Sequence, residues 1–129
     1  MEGNFENKYA YFRVGRNVIF IYSKRNVVLD LDMALSITIT RLNLQNPKPV
    51  SVFFDVDGIT QSEKQGRDFL AKCGWPLTAR VALYASLSRS AFFARYYKRV
   101  CNPIVETQIF QNTTDALAFL DISKPHTSP

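Results

Sequence analysis

The sequence has one histidine and two cysteines in 129 residues, and that scarcity removes several kinds of chemistry at once. His126 lies in the closing run Lys124-Pro125-His126-Thr127-Ser128-Pro129. A Ser-His-Asp triad, a Cys-His pair or a histidine-ligated metal would all depend on that tail, so these classes are set aside. Cys73 and Cys101 form no C-x-x-C pair. With no apolar stretch in the polar residues 1–8 to act as a leader, two free thiols in a reducing, cytoplasmic setting are expected. Apolar runs are short, and none approaches the roughly 18 residues of a membrane span. No glycine-rich phosphate loop is present, and neither a metal nor a cofactor is expected.

Acidic residues are missing over one long stretch. Between Asp68 and Glu106 there is none, whereas Lys72, Arg80, Arg89, Arg95, Lys98 and Arg99 all fall there, so the net charge of +5 is unevenly placed. A one-signed stretch of this kind attracts phosphate or an acidic protein, or it is a solvated basic face.

What is present suits a single globular domain, with 47% apolar and 21% charged residues. The reading is a flexible N-terminus over residues 1–8, one domain over 9–122 and a flexible tail over 123–129. Residues 9–14 alternate like a strand, and Val18-Ile19-Phe20-Ile21-Tyr22 is a continuous apolar run. Gly15-Arg16-Asn17 between them suits a hairpin turn, because Gly and Asn tolerate positive φ. Residues 27–44 are ambiguous: Asp30 can cap a helix carrying Leu31, Ala34, Leu35, Ile39 and Leu42, yet Ser36-Ile37-Thr38-Ile39-Thr40 alternates like a strand. Asn46-Pro47-Lys48-Pro49 makes a natural exit loop, which favours helix.

Residues 50–55 read as a buried strand. Residues 61–72 read as a helix with Ser62 or Thr60 at its N-cap, since Thr60-Gln61-Ser62-Glu63 and Ser62-x-x-Gln65 both fit capping boxes. A strand over 80–84, a helix over 88–101, a strand over 105–110 and a last helix capped by Asn112-Thr113-Thr114-Asp115 complete the order β-β-α-β-α-β-α-β-α. Such alternation predicts an α/β fold with a mixed, mostly parallel sheet entered by an antiparallel hairpin. Residues 18–22 and 50–55 should be its central strands, with Phe20, Ile21, Val52 and Phe54 nearly free of solvent.

This order, the acid-terminated strand Val52-Phe53-Phe54-Asp55, the serine-started helix, the Asn102-Pro103 exit and the closing Thr114-Asp115-Ala116-Leu117-Ala118-Phe119-Leu120 resemble the STAS fold. That is the fold of the SpoIIAA-like anti-sigma-factor antagonists and of small bacterial proteins described as STAS- or Sec14-like. The resemblance covers roughly residues 9–120. It implies that Ser62 stands nearest the family's phosphorylated serine, although the family's aspartate, paired hydroxyl residues and glycine are replaced here by Thr60-Gln61-Ser62-Glu63-Lys64.

Phe53-Phe54-Asp55-Val56-Asp57-Gly58-Ile59-Thr60 also resembles the D-x-D-G motif of haloacid-dehalogenase phosphatases. In that chemistry Asp55 would be the nucleophile and Asp57 the acid/base, both at magnesium. The motif normally opens its sheet, whereas here a hairpin and a helix precede it. No later acidic pair completes a metal site, so turn formation by Asp and Gly is the favoured reading.

On a helical wheel, residues 88–101 place Ala91, Ala94, Tyr97 and Cys101 on a core arc, with Phe93 and Val100 beside it. Arg89, Phe92, Arg95, Tyr96 and Arg99 fall on the opposite arc. Exposed aromatics between arginines predict an interaction face, for an acidic protein partner or for a second copy in a homodimer. Nucleic acid is disfavoured because no nucleic-acid-binding signature accompanies the basicity. The expected function is a non-enzymatic STAS-like interaction or regulatory module. A Sec14-like small-ligand or lipid binder, with Trp75 and Phe69 lining an apolar pocket, is the alternative, and a phosphatase is disfavoured.

Overall fold

The computed structural model describes residues 3–120. In chain order they form β1 (Gly3–Glu6), β2 (Ala10–Gly15), β3 (Val18–Ser23), β4 (Val27–Leu29), α1 (Leu31–Leu44), β5 (Val50–Asp55), β6 (Ile59–Ser62), α2 (Lys64–Cys73), β7 (Thr78–Tyr84), α3 (Ser88–Tyr96), a π-helical turn (Tyr97–Cys101), β8 (Thr107–Phe110) and α4 (Thr113–Leu120). The α/β class, the mostly parallel sheet and the entering hairpin agree with expectation. Three additional short strands, β1, β4 and β6, do not appear in the expected order.

The main sheet runs β1-β2-β3-β5-β7-β8. The β2–β3 hairpin turns at Asn17, which holds φ at 61°. Asparagine visits that left-handed region at less cost than most residues. From β3 onward the neighbours β3–β5, β5–β7 and β7–β8 are all parallel. Each crossover steps in the same direction across the sheet, so a constant handedness lays α1, α2 and α3 on one face. Ile19, Ile21, Val52, Phe54, Val81 and Leu83 point to that face and pack under Met33, Ile37, Leu70, Trp75, Ala94 and Tyr97. Val18, Phe20, Phe53 and Ala82 point the other way, where α4 is the one helix among the described residues that covers them, through Ala116 and Leu120. The continuous apolar runs of β3 and β5 therefore reflect burial on both faces. Phe20, Ile21, Val52 and Phe54 are all buried on interior strands, as expected.

The N-terminal segment departs from the expected flexible lead. Residues 3–6 pair antiparallel with β2 and Phe5 packs on the core. Asn7 then fixes the turn: its Oδ1 accepts the amides of Tyr9 and Ala10, and its Nδ2 donates to Ser36 and Thr40 of α1. The expected tail at 123–129 and the end of the domain at 121–122 lie outside the described residues.

Asp30 caps α1 as expected, accepting the Met33 amide at 2.9 Å. The buried face of that helix differs, however, comprising Met33, Ala34, Ile37, Thr38 and Arg41, with Ile39 exposed. Of the five residues expected on the core side, only Ala34 is buried. The reason is Arg41, which is fully buried. Its Nη2 donates to the carbonyls of Gly74 and Pro76, each at 3.0 Å, and its Nη1 to Gln45 Oε1 at 2.6 Å. Its guanidinium also faces the Trp75 ring. A pattern that counts arginine as an outward residue rotates this helix the wrong way.

Candidate functional site

Residues 56–62 begin as the exit from β5 and end as a strand. Asp55 Oδ1 accepts the Asp57 amide at 2.9 Å and shapes the turn. Gly58 passes so close to β3's end that an added Cβ would lie 2.1 Å from the Lys24 carbonyl oxygen. Close approach requires the glycine here. Then β6 pairs in parallel with β4, with Val28 opposite Gln61 and Leu29 opposite Ser62.

This ladder corrects the N-cap assignment. Ser62 is strand, its neighbour's amide (Glu63) donates to the Leu29 carbonyl, and α2 begins only at Lys64 with Glu63 at an N-cap that makes no side-chain bond. The capping boxes fit in sequence, but strand pairing holds the backbone extended through Ser62. The hydroxyl of Ser62 instead accepts from Arg67 Nη1 at 2.8 Å, and the Ser62 carbonyl accepts from the same nitrogen at 2.9 Å. Thr60 is likewise strand, with its hydroxyl directed at the Val27 carbonyl.

Asp57 binds the start of α3. Its carboxylate accepts the Ser86 amide at 2.9 Å, the Ser86 hydroxyl, and the Ser90 hydroxyl at 2.5 Å. Arg89 Nη2 closes the same junction by donating to the Asp57 carbonyl at 2.9 Å. Burial pushes Asp57 upward, but the bonds from Ser86, Ser90 and the Leu87 amide outweigh it and hold the carboxyl below its ordinary value. Asp55 moves the other way: burial raises it, and the charge of Asp57 adds to that. The two acids thus sit in unlike surroundings, beside a polar cavity of about 440 Å³ that Ser23, Arg25 and Arg89 also line. Among the described residues no three histidine, cysteine, aspartate or glutamate side chains gather as a metal-ligand group.

The face of α3 is partly as expected. Ala91, Ala94 and Tyr97 are buried, and the Tyr97 hydroxyl accepts from Trp75 Nε1 at 3.0 Å. Arg89, Arg95 and Arg99 are exposed, and Phe92 is 67% exposed. Tyr96 is only half-buried, because the Arg67 guanidinium lies 5.0 Å over its ring. Val100, placed beside the core by the helical wheel, is exposed. The backbone widens to a π turn over residues 97–101 before Asn102 ends it at φ 51°, and that widening rotates Val100 outward. Leu87, Phe92, Val100 and Ile104 make up four of the seven large apolar residues exposed in the described chain.

Between α3 and β6 runs a groove of about 280 Å³, walled by Phe92, Phe93 and Tyr96 on one side and Thr60 and Ser62 on the other, with Arg67 and Arg89 in its lining. Arg67 was not singled out in the sequence. The signal available there was a basic residue one helical turn into α2, which alone says nothing of where the guanidinium goes. Trp75 and Phe69 do not line this groove: Trp75 is buried in the core and Phe69 packs against it. No helix among the described residues is long and apolar enough to cross a membrane.

The profile described as Domain of unknown function (DUF7793) matches residues 12–124. No curated protein matches the chain. Among solved structures, the chain is similar to an uncharacterised protein of the DUF3478 family with a SpoIIAA-like fold from Shewanella loihica PV-4. The identity is 12%, the match covers 93% of this chain and 92% of that one, and the TM-score is 0.48.

Proposed function

The chain belongs to the DUF7793 family, and we propose that it is a non-enzymatic, STAS-like regulatory module of the cytoplasm that docks an acidic partner protein on the outer face of α3. The observation carrying this reading is Phe92, an exposed ring flanked by the exposed Arg89, Arg95 and Arg99. Large exposed apolar side chains on one face mark contact sites, and aromatics with arginines dominate interface energetics. Among the described residues the ion pairs are Lys24–Glu6, Lys64–Asp68 and Arg80–Glu106, so no acid answers these three arginines. Charge complementarity asks for acids from outside.

A homodimer through the same face is the competing assembly, and charge argues against it. An isologous contact would bring each arginine near its own copy. Ser62 as a phosphorylated switch is a weaker regulatory reading, because the hydroxyl is already engaged by Arg67.

The test is affinity capture from native lysate with wild type and with an Arg95→Glu/Arg99→Glu variant, alongside sedimentation of both purified proteins. Expected is an acidic protein that wild type retains at low salt, releases at high salt, and that the variant does not retain. Retention by the variant overturns the reading. So does a wild-type dimer that the variant converts to monomer, which would assign the face to a second copy.

A further inference from the structure

The groove between β6 and α3 shares Arg89 and Phe92 with the outer face of that helix, and draws the rest of its lining from β6, α2 and the inner side of α3. From it we infer that the protein binds a small, flat apolar molecule bearing one carboxylate or phosphate.

The lining sets the chemistry. Phe92, Phe93 and Tyr96 supply aromatic surface, Ile59 adds an apolar patch, and Arg67 and Arg89 supply two guanidinium groups with no carboxylate among the lining residues. A largely apolar cleft with a few convergent polar groups is the usual form of a small-molecule site. At about 280 Å³ the space suits one or two fused rings rather than a long acyl chain or a peptide.

Arg67 is held ready for such a ligand. Two bonds from Nη1 to Ser62 and the stack on Tyr96 fix its plane. Its Nε is buried and makes no hydrogen bond. With both Nη1 hydrogens on Ser62 and Nε enclosed, Nη2 is the end of this guanidinium left for a ligand. Arg89, on the rim, uses Nη2 on the Asp57 carbonyl and leaves the rest of its fork toward solvent. An oxyanion reaching both arginines while its ring lies along Phe93 and Tyr96 would satisfy donors that the fold leaves open. Charge-assisted contacts of this kind are the strong ones, and little ordering is left for the ligand to impose.

Titrations of ¹⁵N-labelled protein with 2-naphthoate, 2-naphthyl phosphate and the neutral 2-naphthamide, followed by NMR, test this directly. At least one anion should shift the amides of residues 59–62, 67 and 89–96 saturably, and bind at least about tenfold more tightly than the amide. Whichever anion binds more tightly identifies the head group. Arg89→Gln, at an exposed position, should weaken that anion about tenfold with the folded spectrum intact, and Arg67→Lys should weaken it through loss of the fork. Equal binding of anion and amide, shifts mapping elsewhere, or no saturable shift with any probe would overturn the inference. Arg95 and Arg99 do not line the groove, so failure here leaves the docking reading to its own experiment.

Discussion

The Ser90 hydroxyl donates to Asp57 Oδ1 at 2.5 Å and ties the first turn of α3 to the exit of β5. Ser90 is fully buried, so the bond lies under the helix rather than on its surface. Through it, a carboxylate that looks catalytic in sequence serves as the anchor of the helix bearing the exposed face.

Asp57→Ala should therefore destabilise the fold by about 2 kcal/mol near neutral pH, since several donors lose a charged acceptor. The sign of the pH dependence follows from the shift. The folded carboxyl is held below its ordinary value, so its stabilisation is fully present above the unfolded value of about 3.9 and is lost as pH falls through the folded one. Urea unfolding of both proteins at neutral and at acid pH should show a gap that closes below about pH 4. A gap constant with pH would mean that the carboxylate charge plays no part.

Asp55 and Asp57 are expected to have no catalytic role, because Asp57 is committed to Ser86 and Ser90 and Asp55 to the turn. Purified protein with magnesium should leave p-nitrophenyl phosphate unhydrolysed. Turnover that Asp55→Asn abolishes would restore the phosphatase reading.

Much of the fold was legible because period and punctuation agree. The double-sided apolar runs of β3 and β5, the Asn17 turn and the Asp30 cap each rest on short-range chemistry. The strands β4 and β6 were not legible, since three or four residues become strand only by finding each other across 32 to 33 positions of sequence. Ser62 was misread for the same reason: its capping box was locally sound, and a remote strand overrode it. The exposed arginines and Phe92 on α3 followed from helical spacing. The partial covering of Tyr96 did not, because it depends on Arg67 from another helix.

Arg41 gives the sharpest test of packing. It is fully buried, has no carboxylate partner among the described residues, and is stabilised by two carbonyls of the α2–β7 loop and by Gln45. Burial lowers its guanidinium to about 10, so it remains cationic at neutral pH. Replacing a buried charge by an apolar side chain is often harmless when both members of an ion pair go together. Here the partners are backbone carbonyls that cannot be removed. Arg41→Met should therefore cost about 2–4 kcal/mol, by leaving the Gly74 and Pro76 oxygens without their donor. Arg41→Lys should cost less, because one ammonium reaches some of the same acceptors without the fork. Denaturant melts read by Trp75 fluorescence would follow both variants, since that ring faces the guanidinium. A methionine variant as stable as wild type would show that the loop carbonyls find water instead, and that Arg41 is not what joins α1 to this loop.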